Sequence, residues 1–151
     1  MMRGVNILEP LSILPAEARL DWPTFHAEIE RLADKIDYQP EVIVAVARGG
    51  VVPGILLSKE LSVEPFLSLK VKKIGEKRRI LAEIFTDLEN KKVLLVDDMI
   101  ETGFGFQAAK EYLEKKGAQV KTACLYTMPF TQVLPDYFLH QVPQVTKFPW
   151  D

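Results

Sequence analysis

Val93-Leu94-Leu95-Val96-Asp97-Asp98-Met99-Ile100-Glu101-Thr102-Gly103-Phe104-Gly105 opens with four apolar residues, places three acids in the next five positions, and closes on a Thr and two Gly residues. An apolar run of that length without polar alternation suits a strand buried on both faces, as in a parallel sheet. From about Phe104 the pattern becomes helical, and it stops at Gly117, where a left-handed C-cap fits. A buried strand joined to a helix by the loop Asp97–Gly103 is half of a βαβ unit, and the amides opening that helix can hold a phosphate. Acids and phosphate are opposed unless the acids face sugar hydroxyls and a Mg²⁺, which is commonly shared between carboxylates, water and phosphates. Helix capping is the bland alternative for Asp97 and Asp98, although a cap normally uses one Asp and not an adjacent pair. A nucleophilic-Asp or receiver-like acidic pocket is a further alternative; it wants a separate Lys that the sequence does not place.

Outward from this stretch the same architecture repeats. Val42-Ile43-Val44-Ala45-Val46-Ala47 is a second buried strand, ending at Arg48-Gly49-Gly50, and a helix follows beyond Pro53 through Ile55, Leu56, Leu57 and Leu61. Residues 64–71 then form a strand, which completes a βαβ unit and requires a parallel sheet. In such sheets ligands collect at the carboxyl ends of the strands. There the adjacent Gly49 and Gly50 allow backbone amides to turn inward, and Arg48 offers a forked donor to phosphate oxygens.

Other segments fill in the outline. Trp22, Phe25, Ile29, Leu32 and Ile36 recur at steps of three and four behind Asp21 and Pro23, predicting an amphipathic helix with an Asp cap. Residues 70–79, KVKKIGEKRR, hold six Lys or Arg and one Glu around Gly75 and predict a mobile basic loop or hairpin, or simply a solvated charged turn. Strands are expected over 80–85 and 120–126. The segment after Pro129 is rich in Pro and aromatic residues and reads as a cover packed over the sheet. The expectation is one α/β domain over residues 1–151: a central, mainly parallel sheet flanked by helices, with a small hood from about 1–20 and 129–151.

Composition narrows the class. With 48% apolar residues in 151 the chain can bury a substantial core, and a net charge of −2 supplies no field for nucleic acid or anionic lipid. No signal-like h-region or membrane-length apolar stretch is present in the sequence, so a cytoplasmic protein is expected, with no nucleic-acid or membrane partner. Cys124 falls in an alternating apolar run and reads as a buried structural thiol. His26 and His140 lack a partner acid or Cys at metal spacing and read as structural or surface residues. Trp150 reads as a core anchor more readily than as a stacking platform.

VLLVDDMIETG resembles the signature by which type I phosphoribosyltransferases bind 5-phosphoribosyl-1-pyrophosphate (PRPP). ARGGVVPGILLSKEL resembles the pyrophosphate loop and following helix of the xanthine-guanine and hypoxanthine members, and PDYFLHQVPQVTKFPWD resembles their C-terminal segment. The resemblance implies transfer of the 5-phosphoribosyl group to a purine, with release of pyrophosphate and with Mg²⁺ as cofactor. By position, Asp97 and Asp98 match the acids that bind ribose hydroxyls and Mg²⁺, with Asp151 a late acid beside the base site and a third candidate for the metal. Thr102, Gly103, Phe104 and Gly105 match the 5-phosphate loop. Arg48, Gly49 and Gly50 match the pyrophosphate loop, for which a cis Ala47–Arg48 peptide is implied. Glu101 matches the general base near N7 of the purine and, with Arg48, makes up the expected catalytic pair. Lys72, Lys73, Lys77, Arg78 and Arg79 overlap a flexible loop that closes on pyrophosphate.

Several positions depart from the family pattern. Gly105 stands where the 5-phosphate loop usually has Thr, which removes a hydroxyl donor worth about 0.5 to 1.5 kcal/mol. Met128 stands where a Lys reads O6, and Val145 where an aromatic stacks on the base; with Thr146 they form the expected base pocket. A lost charged hydrogen bond costs about 1.5 to 3 kcal/mol, roughly tenfold to a hundredfold in discrimination between bases. The resemblance still implies a 6-oxopurine salvage enzyme, expected as a homodimer or homotetramer. Two alternatives stay open, a PRPP-binding regulator without catalysis and a transferase with a non-standard acceptor base.

Overall fold

The computed structural model describes residues 19–151, so residues 1–18 of the expected hood lie outside the described residues. Helix α1 (Trp22–Lys35) precedes β1 (Val42–Val46), α2 (Val51–Glu60), β2 (Phe66–Ile74), β3 (Lys77–Ala82), β4 (Lys92–Ile100), α3 (Phe104–Lys115), β5 (Gln119–Thr127) and β6 (His140–Gln141). The sheet runs in the order β3-β2-β1-β4-β5-β6. All its pairings are parallel except β2 with β3, the antiparallel hairpin at one edge. The α/β architecture expected from the apolar runs is the one observed.

The apolar runs divide between two cores as the pleat of a strand requires. Ile43, Leu94, Val96, Ala123 and Leu125 pack on one face with Phe25, Ile29 and Leu32 of α1 and Leu57 of α2. Val42, Val44, Val93, Leu95 and Cys124 pack on the other with Phe106, Ala109 and Leu113 of α3. Burial on both faces explains why β1 and β4 lack alternation in the sequence. Cys124 is fully buried, and its thiol is pushed well up by that burial, which leaves it the structural thiol expected.

Local signals fixed most element ends. Asp21 caps α1, its Oδ1 accepting from the Thr24 amide at 2.8 Å. Gly117 ends α3 in the left-handed region at φ 87°. Some boundaries differ from expectation. α2 begins at Val51, ahead of Pro53, because a proline in the first turn gives up an amide that has no helical partner there. β4 continues to Ile100, so Asp97, Asp98, Met99 and Ile100, expected in the connecting loop, lie in strand. Register with β5 holds them there, Asp97 opposite Cys124, Met99 opposite Tyr126 and Ile100 opposite Thr127. The basic segment is a hairpin, with Lys72 paired to Arg79 and Lys73 to Arg78 around Gly75 at φ 62°. Trp22 opens the apolar stripe of α1 yet is 53% exposed; it stands on the helix's first turn with its ring 6.2 Å from that of Trp150.

The tail after β5 returns along the far edge of the sheet. Asp136 Oδ2 accepts from the amide and the hydroxyl of Thr122 at 2.9 and 3.1 Å, and β6 pairs with the end of β5. Beyond it the Leu20 amide donates to the Lys147 carbonyl at 2.8 Å, joining the start of the described chain to its end.

His140 has an acid partner after all. Its Nε2 lies 3.2 Å from Oε1 of Glu28, a residue of α1 that is 7% exposed, and the Tyr126 hydroxyl donates to the same oxygen at 2.9 Å. The three residues are far apart in sequence and meet where α1 crosses β5 and β6, so linear spacing could not reveal them. His26 also has an acid partner, exposed Glu30 one helical turn on at 3.0 Å, so the expectation of none fails for it as well.

Two glycines separate steric necessity from tolerance. A Cβ on Gly50 would stand 2.4 Å from the Val96 carbonyl oxygen and 2.9 Å from that of Val46, both backbone atoms. A Cβ on Gly105, in the first turn of α3, would meet nothing closer than Val71 Cγ1 at 3.9 Å. Gly50→Ala should therefore destabilise by about 1–3 kcal/mol. Gly105→Ala should stabilise by about 0.5–1 kcal/mol, the usual helix preference for Ala. Thermal denaturation of the two variants checks the opposite signs.

Candidate active site

Parallel pairing of β1 with β4 places their carboxyl ends side by side, so the turn Ala47–Gly50 faces the residues that end β4. The Ala47–Arg48 peptide is cis, as the family pattern implies. The turn is held by the Ala47 amide on the Leu69 carbonyl at 2.8 Å and the Gly50 amide on the Val46 carbonyl at 2.8 Å. A Cβ on Gly49 would lie 2.5 Å from Asp98 Oδ2, so its bare backbone is what lets the turn sit against that carboxylate.

Asp97 and Asp98 are half-buried neighbours. The Asp98 amide donates to Asp97 Oδ1 at 2.8 Å, and the Met99 amide donates to Asp98 Oδ1 at 2.6 Å. Burial, reinforced by the charge of Asp98, pushes the Asp97 carboxyl well above the usual range. Burial likewise raises Asp98, against the lowering pull of its hydrogen bonds with Asp97 and Met99 and with a further push from Asp151. Neither acid forms an ion pair with a basic side chain among the described residues. Two crowded carboxylates short of positive charge fit a divalent cation and sugar hydroxyls, and Asp97 and Asp98 are the residues that would hold Mg²⁺ here.

Capping does not account for the pair, because α3 starts later, with Gly103 at its N-cap (φ 93°) and no side-chain cap bond. Asp97, Glu101, Thr102, Gly103 and Gly105 line a pocket of about 230 Å³ together with Met99, Ile100 and Phe106. Such a helix entrance is suited to a phosphate, although the Phe104 amide donates to Thr102 Oγ1 at 3.4 Å. Arg48, Gly49, Trp150 and Asp151 line a larger pocket of about 560 Å³. The contact of Gly49 with Asp98 joins the two sides.

The remaining candidates are partly assembled. Glu101 is exposed, and its backbone is clasped from β5's far side: Thr131 Oγ1 donates to the Glu101 carbonyl at 2.6 Å and to that of Ile100 at 3.1 Å. The Gln132 amide donates to the Thr102 carbonyl at 2.8 Å. Thr131 was not singled out by the sequence, and a lone Thr two residues after Pro129 carries no signal that could have done so. Met128 is 6% exposed, its amide on the Ile100 carbonyl at 3.1 Å, whereas Val145 is 53% exposed. The Thr146 amide lies 3.5 Å from Met99 Sδ. Arg78 reaches the site's edge, its guanidinium 5.8 Å from the centre of the Phe104 ring. Lys72, Lys73, Lys77 and Arg79 are exposed on the hairpin and line neither pocket. The Asp151 carboxylate accepts from the Phe148 amide at 2.8 Å and faces the larger pocket. A geometric cation cluster does occur elsewhere among the described residues, at exposed His26, Glu30 and Glu60; Glu60 ends α2, at the opposite end from the Arg48–Gly50 turn.

The phosphoribosyl transferase domain profile matches residues 16–151. This chain belongs to the phosphoribosyltransferase family. A purine phosphoribosyltransferase from Pyrococcus horikoshii is 39% identical in sequence over 89% of this chain and 93% of its own, with a TM-score of 0.83. The xanthine-guanine phosphoribosyltransferase of Chromohalobacter salexigens is 27% identical over 87% of this chain and 82% of its own. A xanthine-guanine-hypoxanthine phosphoribosyltransferase from Helicobacter pylori, 22% identical, shares the fold with a TM-score of 0.76. As a phosphoribosyltransferase this chain is an enzyme, and no helix among the described residues is long and apolar enough to cross a membrane.

The raised carboxyls of this phosphoribosyltransferase have a consequence for stability. A carboxyl raised on folding is no burden below its unfolded value near 3.8, and destabilises increasingly as pH rises through its folded value. Asp97→Asn should raise the ligand-free Tm at neutral pH by a few degrees, roughly 2–4 °C per kcal/mol for a chain of this size. The gain should close as pH falls below 3.8. Calorimetric melts of both proteins across that pH range check it.

Proposed function

We propose that the protein transfers the 5-phosphoribosyl group of PRPP to a nitrogen of a purine base, 6-oxopurines being the favoured acceptors, and releases pyrophosphate. The observation that carries this reading is the half-buried Asp97–Asp98 pair between two anion-suited turns, the entrance of α3 on one side and Arg48-Gly49-Gly50 on the other. Family membership and the 39% identity to a purine phosphoribosyltransferase support it.

On this reading Thr102 to Gly105 hold the 5-phosphate through the amides that open α3, while Asp97 and Asp98 orient the ribose hydroxyls. Asp97 and Asp98, with Asp151 a further candidate, would hold Mg²⁺, which would supply neutralisation of the pyrophosphate charge. The Arg48 guanidinium and the amides of Gly49 and Gly50 take the pyrophosphate as the bond from C1′ to its oxygen breaks and the electron pair leaves with it. The base nitrogen then bonds to C1′, and its proton passes to Glu101. Glu101 is exposed, so it can meet a base arriving from solvent. Arg78 and the other hairpin cations act as a mobile basic cover that excludes water from the oxocarbenium-like transition state.

Met128, Val145 and Thr146 bound the base pocket in this account. A hood contributed by residues 129–151, assembly as a homodimer or homotetramer, and a cytoplasmic site of action belong to the same reading. Met128 specifically favours a second one. A buried thioether offers no charged donor to O6, so the protein could bind PRPP as a regulator or use another acceptor base.

Incubation with PRPP, Mg²⁺ and a panel of bases, following pyrophosphate release, separates these readings. Turnover of a 6-oxopurine is expected, and silence with every purine overturns the salvage reading. Met128→Lys should raise kcat/KM for 6-oxopurines by roughly tenfold to a hundredfold, one charged hydrogen bond. Glu101→Gln should lower kcat by roughly a hundredfold or more, with PRPP affinity retained.

A further inference from the structure

Two of the four residues lining the larger pocket, Trp150 and Asp151, lie in the irregular tail beyond β6, where neither helix nor sheet pairing fixes them. Their tether can be followed inward. The Trp150 ring stacks on Phe148 at 5.0 Å and 4° between planes, and its edge contact with Phe25 of α1 is at 4.8 Å. Phe148, 1% exposed, stacks in turn on Tyr126 at 5.8 Å and 14°. Tyr126 stacks on His140 from its other neighbours, at 5.7 Å and 27°, and its hydroxyl ends on Glu28.

Glu28 is the polar root of this aromatic column. Its Oε1 meets both the Tyr126 hydroxyl and His140 Nε2, while Oε2 accepts from Arg31 at 3.3 Å, which occupies both oxygens of a buried carboxylate. A buried acid satisfied this fully fixes the position of whatever it holds, because any displacement of its partners leaves charge unpaired. The Trp150 indole nitrogen is itself buried without a hydrogen-bond partner, so the ring is kept in place by stacking and not by a polar bond of its own.

We infer that Glu28 is a positioning residue: through Tyr126, His140 and Phe148 it holds the C-terminal strap so that Trp150 and Asp151 form one wall of the pocket beside Arg48. Glu28 touches no reacting atom on this account. The kinetic side of the inference rests on the proposed phosphoribosyl transfer, with the strap wall serving the acceptor base; the mechanical side stands without it.

The test uses Trp22→Phe as background, which leaves Trp150 as the chain's one tryptophan of the two. Glu28→Gln and Tyr126→Phe are each added to it, the second keeping the stacked ring while deleting the hydroxyl. Both should shift Trp150 emission to the red and raise its quenching by acrylamide. KM for the base should rise about tenfold while kcat stays within about twofold, a split that general destabilisation does not produce. Folded variants with unchanged Trp150 emission, or a KM for the base that rises no more than kcat falls, overturn the inference. Should Glu28→Gln fail to fold, Tyr126→Phe decides. A parent protein silent toward every base would defeat the transfer reading alone, since the fluorescence still reports whether Glu28 holds the strap.

Discussion

Asp97 and Asp98 stand side by side at the end of β4, and the backbone of Gly49 and Gly50 is pressed against them with no room for a Cβ. Much of the remaining structure serves that contact. β1 and β4 must be adjacent and parallel for their ends to meet, and both must be buried on two faces for the register to hold. α2 and α3 must lie on opposite faces so that their entrances flank the acids. Residues 128–132 then fasten the strand's exit through the carbonyls of Ile100, Glu101 and Thr102.

This arrangement opposes stability to function at one point. Burial raises the proton affinity of both carboxyls, and the charge of Asp98 adds to it at Asp97, which weakens the ligand-free fold, so removing Asp97 should strengthen it. Such a pair makes physical sense at a site that meets cationic or hydroxyl-bearing ligands. The glycines express the same constraint in steric form. Gly49 and Gly50 are dictated by close approach, whereas Gly105 has open space around it.

The parts legible in the sequence were those with local causes. Asp21 as a cap, Gly117 as a left-handed stop and the two-face burial of β1 and β4 follow from chemistry within a few residues. Asp97, Asp98, Arg48 and Gly49 could be brought together because the ends of parallel strands converge by rule. The end of β4 was misjudged because acids weaken a strand's apolar signature, and pairing with β5 overrides it. Glu28, Tyr126 and His140 were invisible for another reason. Their contact depends on how α1 crosses the sheet, and no periodicity encodes that angle. Thr131 and the pocket-lining face of Trp150 belong to the same class, set by the path of an irregular tail.

On the proposed reading the Asp97–Asp98 end of β4 binds PRPP with the help of Mg²⁺. Calorimetric titration of PRPP into the protein with and without Mg²⁺, repeated on Asp97→Asn, tests it most directly. The account predicts saturable binding that strengthens with Mg²⁺ and weakens at least about tenfold in Asp97→Asn, the loss of a charge-assisted contact. Equal affinity for PRPP in the two proteins, whether or not Mg²⁺ is present, would contradict it.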